Sequence, residues 1–89
     1  MVVRHWYLYV VKCRDTTLYT GVTTDLKRRL QEHNTSRRGS KYTRTRRPVT
    51  LIYQQEFCNR SEAQKAEYAF KQLTRQQKIE IIKKSEKSS

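Results

Sequence analysis

The chain opens on a dense apolar run, Trp6 to Cys13 (WYLYVVKC), in which aromatic and β-branched residues occupy both alternating sets of positions. A strand that shows apolar side chains on both faces belongs in the middle of a sheet. The polar segment Arg14 to Thr17 is short enough for a hairpin connection, and Leu18 to Thr23 resumes a strand pattern, which predicts an antiparallel pair. Whether Tyr9 and Tyr19 share a face depends on a register that the pattern leaves open.

Gly21, between strand and helix, suits a sharp turn or a close backbone approach. Thr24 or Asp25 caps a helix reaching to about Asn34, with Leu26 and Leu30 as its apolar stripe. At about 100° per residue, Arg29 falls beside that stripe and His33 inside it, so each needs a partner or a bound anion; Lys27 and Arg28 read as a solvated face that could also touch phosphates.

A third strand spans Val49 to Phe57, with Val49, Leu51, Tyr53 and Phe57 on one face. Asn59 or Ser61 opens a helix whose stripe is Ala63, Ala66, Phe70 and Leu73. Glu67 points along the same stripe, where a carboxylate must be protonated, paired with Lys71, or bound to a metal ion. Thr74 and Gln77 cap a last short helix with Ile79 and Ile82 turned inward. The elements sum to an α+β fold, β-β-α-β-α-α, with a small three-stranded, mostly antiparallel sheet flanked by helices. Residues 1–83 form one domain, and 84–89, made of Lys, Ser and Glu, read as a disordered tail.

Charge narrows the partner. The chain has 20 Lys and Arg against 8 Asp and Glu, a formal charge of +12. Residues after Ile82 hold three Lys and one Glu, so +10 remains without them. Such basicity points to a polyanion, with nucleic acid ahead of an anionic membrane surface. Arg37 to Arg47 (RRGSKYTRTRR) reads as an irregular basic loop. Within it Lys41, Arg44, Arg46 and Arg47 are candidate phosphate contacts, and Tyr42 either stacks on a base or packs beneath the loop. Cys13 and Cys58 lack metal-ligand spacing and read as small buried apolar residues. No apolar run is long enough to span a membrane, so a cytoplasmic location and no membrane partner are expected.

The assembled set, including the Gly39-Ser40-Lys41-Tyr42-Thr43 run ahead of Arg46-Arg47-Pro48, resembles the GIY-YIG nuclease superfamily, and most closely its short stand-alone single-domain members. Tyr7-Leu8-Tyr9 stands where that family has Gly-Ile-Tyr, and Tyr19-Thr20-Gly21 where it has Tyr-Ile-Gly. Arg29, His33 and Glu67 fall on the family's arginine, His-or-Tyr and metal-binding glutamate positions, and the likeness covers roughly residues 6–73. Tyr7 replaces the first glycine, both motif isoleucines are changed, and Val22 replaces a lysine some members carry.

This resemblance implies a metal-dependent DNA endonuclease, directed by DNA structure and serving repair or recombination. Glu67 would bind one Mg²⁺ or Mn²⁺ ion, Arg29 would hold a phosphate oxygen, and Tyr9, Tyr19 or His33 would act as the base. The partner would be DNA, branched or nicked, bound by a monomer, with a partner protein supplying specificity. The alternative is a nucleic-acid-binding module that keeps the nuclease fold with weak or no catalysis.

Overall fold

Strand β1, Trp6–Lys12, lies in the middle of the sheet, antiparallel to β2, Leu18–Thr23, on one side and to β3, Thr50–Phe57, on the other, giving the order β2-β1-β3. The computed structural model describes residues 5–35 and 41–87. Four helices complete it: α1 (Leu26–Thr35), the single turn α2 (Lys41–Arg44), α3 (Arg60–Lys71) and α4 (Arg75–Lys87). The α+β architecture read from the pattern is the one observed, with α2 added inside the basic stretch. Arg37, Arg38, Gly39 and Ser40 of that stretch lie outside the described residues. Helix α4 runs on to Lys87, past Lys83, where the composition suggests a tail.

The double-sided strand explains the layering. Leu8 and Val10 of β1 join Phe70 of α3 and Ile82 of α4 in one buried cluster. Tyr9, Val11, Cys13 and Val49 form the other, against Leu26 and Leu30 of α1. Each buried Leu, Val or Phe side chain contributes roughly 1.5–3 kcal/mol of burial free energy.

Helix starts follow the predicted caps. Asp25 Oδ1 accepts from Arg28 N at 3.0 Å, and Asn59 Oδ1 from Glu62 N at 2.9 Å. Thr74 and Gln77 exchange bonds as a capping box, with Gln77 N donating to Thr74 Oγ1 and Thr74 N to Gln77 Oε1.

Two expectations change. The ladder between β1 and β3 shifts between Val10 and Val11, so Val11 pairs Leu51 whereas Val10 pairs Tyr53. Ile52 is the extra residue of a β-bulge, and it sends Tyr53 and Phe57 to the face opposite Val49 and Leu51. Cys58, expected to be buried, is exposed just beyond β3; Cys13 is buried. Among the described residues no helix is long and apolar enough to cross a membrane.

Candidate functional site

The hairpin register brings the motif tyrosines together. Tyr9 pairs Gly21 and Val11 pairs Tyr19, so Tyr19 is the diagonal neighbour of Tyr9 on the same face. Gly21 lies inside β2 rather than in a turn, and its φ is not positive, which corrects the turn reading. The close-approach reading holds instead. A Cβ at this position would stand 2.5 Å from Tyr9 Oη and 2.7 Å from Tyr9 Cζ. The glycine lets the Tyr9 ring lie across the backbone of β2.

Under α1 that ring meets His33, which is 0% exposed. His33 Nε2 is 2.8 Å from Tyr9 Oη, and Nδ1 is 2.8 Å from Oγ1 of the equally buried Thr43 on α2. Either tautomer fits: the phenol donates to Nε2 while Nδ1–H donates to Thr43, or both bonds reverse. The ring of Tyr19 stands edge-on to His33 at 5.3 Å, and Tyr42 stacks on Tyr19 at 5.9 Å. The Arg46 guanidinium sits 4.0 Å over the Tyr42 ring. Tyr42 is thus held between Tyr19 and Arg46 while remaining exposed at the surface.

Burial sets the protonation states. It pushes His33 down to about 4, helped by the positive charge of Arg29. It pushes Tyr9 up to about 12, while the Arg29 guanidinium pulls in the other direction. Both groups are therefore neutral at pH 7, the phenol a weak base and the imidazole without a charge to offer a phosphate.

Arg29 answers its need for a partner within its own helix: Nη1 donates to Glu32 Oε1 at 3.1 Å, one turn on. Burial works against its charge, but hydrogen bonds to Tyr9 and Glu32 raise its pKa further. With Arg28, Glu32, Trp6, Thr23 and Thr24 it lines a cavity of about 310 Å³.

Two loop arginines also have internal duties. Arg46 Nε bonds Asp15 Oδ2 at 3.1 Å and its Nη1 donates to the Tyr42 carbonyl at 2.8 Å. Arg47 donates to the His33 and Glu32 carbonyls, covering the C-terminal end of α1. Lys41 and Arg44 are exposed on α2.

Glu67 is part-buried on α3, facing Lys71 Nζ at 3.6 Å, and its charge adds to the rise of the Tyr9 pKa. Among the described residues, no three His, Cys, Asp or Glu side chains are grouped where they could hold a metal ion.

Some of the site was invisible to periodicity. Thr43, which holds the second ring nitrogen of His33, sits in the basic stretch, where no period marks it as buried. Asn34 joins the end of α1 to β3 by two bonds, Nδ2 to the Val49 carbonyl at 3.1 Å and Val49 N to its Oδ1 at 2.7 Å. Glu32 could have been found as the acidic residue three after Arg29.

Residues 5–80 match the GIY-YIG catalytic domain. The UPF0213 protein DP2720 of Desulfotalea psychrophila is 54% identical over 82 residues, covering 92% of this chain and 74% of that protein. The UPF0213 protein SAG0778 of Streptococcus agalactiae is 57% identical over 77 residues, 86% of each chain. Among solved structures, the solution structure of EF2693 from E. faecalis superposes with a TM-score of 0.64 at 48% identity, covering 92% of this chain and 86% of that one. The UPF0213 protein BH0048 from Bacillus halodurans does so at 0.58 and 39%, covering 89% and 83%. These relatives bear names that assign no nuclease activity. Together with the missing ligand group among the described residues, this overturns the expected metal-dependent endonuclease and the hydrolase and repair roles attached to it.

Proposed function

The chain belongs to the GIY-YIG catalytic domain family, and from that premise we propose that it works as a nucleic-acid-binding module that keeps the family fold with weak or no catalysis. The observation that carries this is the excess of charge. With 20 Lys and Arg and 8 Asp and Glu, twelve cations are left over however the ion pairs are drawn. A phosphate backbone is the partner that neutralises such a surplus, with release of its counterions. Lys27 and Arg28 on α1 and Lys41 and Arg44 on α2 are exposed, which makes them candidate phosphate contacts. Because the Tyr42 ring already packs against Tyr19 and the Arg46 guanidinium, contact is mainly with the backbone rather than by base stacking, which favours DNA shape over sequence. The neutral Tyr9 and His33 favour binding over turnover, since a general base works best with a pKa near the ambient pH.

The test is fluorescence anisotropy with labelled single-stranded, duplex, nicked and branched DNA across a salt series. Binding should weaken steeply with salt, and Lys41→Ala with Arg44→Ala should lower the log–log slope by about 1–2. No binding to any of these DNAs at low salt would sink the proposal. An unchanged slope in the double variant would remove α2 from the interface.

A further inference from the structure

On the sheet face away from Tyr9, α4 leaves a recess of about 260 Å³. Its walls are aliphatic: Leu18 of β2, Ile52 of β3, and Ile79 and Ile82 of α4. Around them stand Lys12, Arg75 and Lys83. A second cavity of about 220 Å³ shares Leu18 and Arg75 and adds Lys78 and Tyr42. Four cations line the two cavities, with no Asp or Glu among the lining residues. Leu18, Ile52 and Ile79 remain only half-buried, so covering them would be favourable.

We propose that this recess docks an acidic peptide segment of a partner protein, which inserts one aliphatic side chain between α4 and β2 while its carboxylates meet Lys12, Arg75, Lys78 and Lys83. The combination selects the occupant. A nucleic-acid backbone would satisfy the cations but has no apolar group for an aliphatic hole, and no aromatic ring lines the 260 Å³ recess for a base to stack on. A second copy of this chain would bring another +12 to a basic surface. An acidic segment with an apolar anchor matches both the walls and the rim. The aliphatic recess lies on the opposite sheet face from the His33–Tyr9 cluster, with only the second cavity reaching Tyr42, and the proposal does not depend on the nucleic-acid reading.

The experiment follows the ¹³C-methyl signals of Leu18, Ile52, Ile79 and Ile82 in the full chain. The probes are a hexapeptide of five aspartates around one leucine, the same peptide with alanine for leucine, and oligothymidylate. The leucine peptide should shift these methyls, and the alanine peptide should bind about tenfold more weakly, as expected for the loss of about 1.4 kcal/mol of anchor burial. Arg75→Glu with Lys83→Glu, both exposed and so compatible with folding, should weaken the leucine peptide by at least about tenfold. Ile79→Ala, which keeps every charge, should weaken it several-fold. Unmoved methyls or equal binding of the two peptides would overturn the proposal. The same methyls moving with oligothymidylate would assign the recess to nucleic acid instead, leaving the proposed DNA binding intact.

Discussion

Beneath α1 the sheet buries a phenol, an imidazole and a hydroxyl joined in a chain, whereas beneath α3 and α4 it buries Leu8, Val10, Phe70 and Ile82. Both clusters are buried, but they hold their shape for different reasons. Aliphatic packing is non-directional and tolerates swaps that conserve volume. A buried polar chain must have every atom bonded, and none of the described buried side-chain nitrogens or oxygens lacks a partner. The polar face is therefore held by directional bonds that restrict its side-chain positions, whereas the other is held by aliphatic and aromatic packing.

The largest effect expected is on the apolar side. Phe70→Ala, which removes the ring stacked on Tyr53 at 6.0 Å, should cost about 3–5 kcal/mol in urea denaturation. A cost below about 1 kcal/mol would mean that this face is not where stability resides.

Acid should act on the other face. The folded pKa of His33, about 4, lies below its ordinary value of 6.5, so the unfolded chain binds the proton more readily. Its contribution is complete above pH 6.5 and is lost as pH falls toward 4, about 3 kcal/mol in all. Comparing stability curves with His33→Leu, which cannot titrate there, isolates the loss; identical curves would refute it.

At pH 7 the His33→Leu change itself should cost roughly 1–3 kcal/mol, because it cuts the link between Tyr9 Oη and Thr43 Oγ1. Adding Tyr9→Phe and Thr43→Val should restore much of that stability. If the triple variant is weaker than the single, packing rather than hydrogen bonding dominates this face too.

Gly21→Ala probes the same chain from the strand side. Its methyl would press on the Tyr9 ring and push it from His33, costing about 1–3 kcal/mol, with a shifted Tyr9 signal as the readout. Smallest is Arg46→Lys, which replaces the guanidinium over Tyr42 and should cost roughly 0.5–1 kcal/mol by thermal melting.

Much of this division was legible in the chain. The double-sided run at Trp6 to Cys13 placed β1 centrally, and the 3.6 period put His33 and Glu67 on inward faces. The salt bridge of Glu67 to Lys71 and the satisfied bonds of His33 were among the readings the residues allowed. What stayed hidden depends on elements far apart in sequence. Thr43 matters only because α2 folds back on α1, and Arg46 and Arg47 look like phosphate contacts until Asp15 and the end of α1 are brought beside them. Loop cations carry no periodicity from which such duties can be read.

Strand β3 adds a different lesson. Its bulge at Ile52 acts as a frameshift in a two-letter alternation. Before it, odd-numbered Val49 and Leu51 address the face that holds Tyr9; after it, odd-numbered Tyr53 and Phe57 address the face that holds Leu8. A reader counting by twos sees one stripe of four where the protein carries two stripes of two. Without the shift, the ring of Tyr53 would stand across from Tyr9; with it, that place goes to exposed Gln54, and one short edge strand serves both cores.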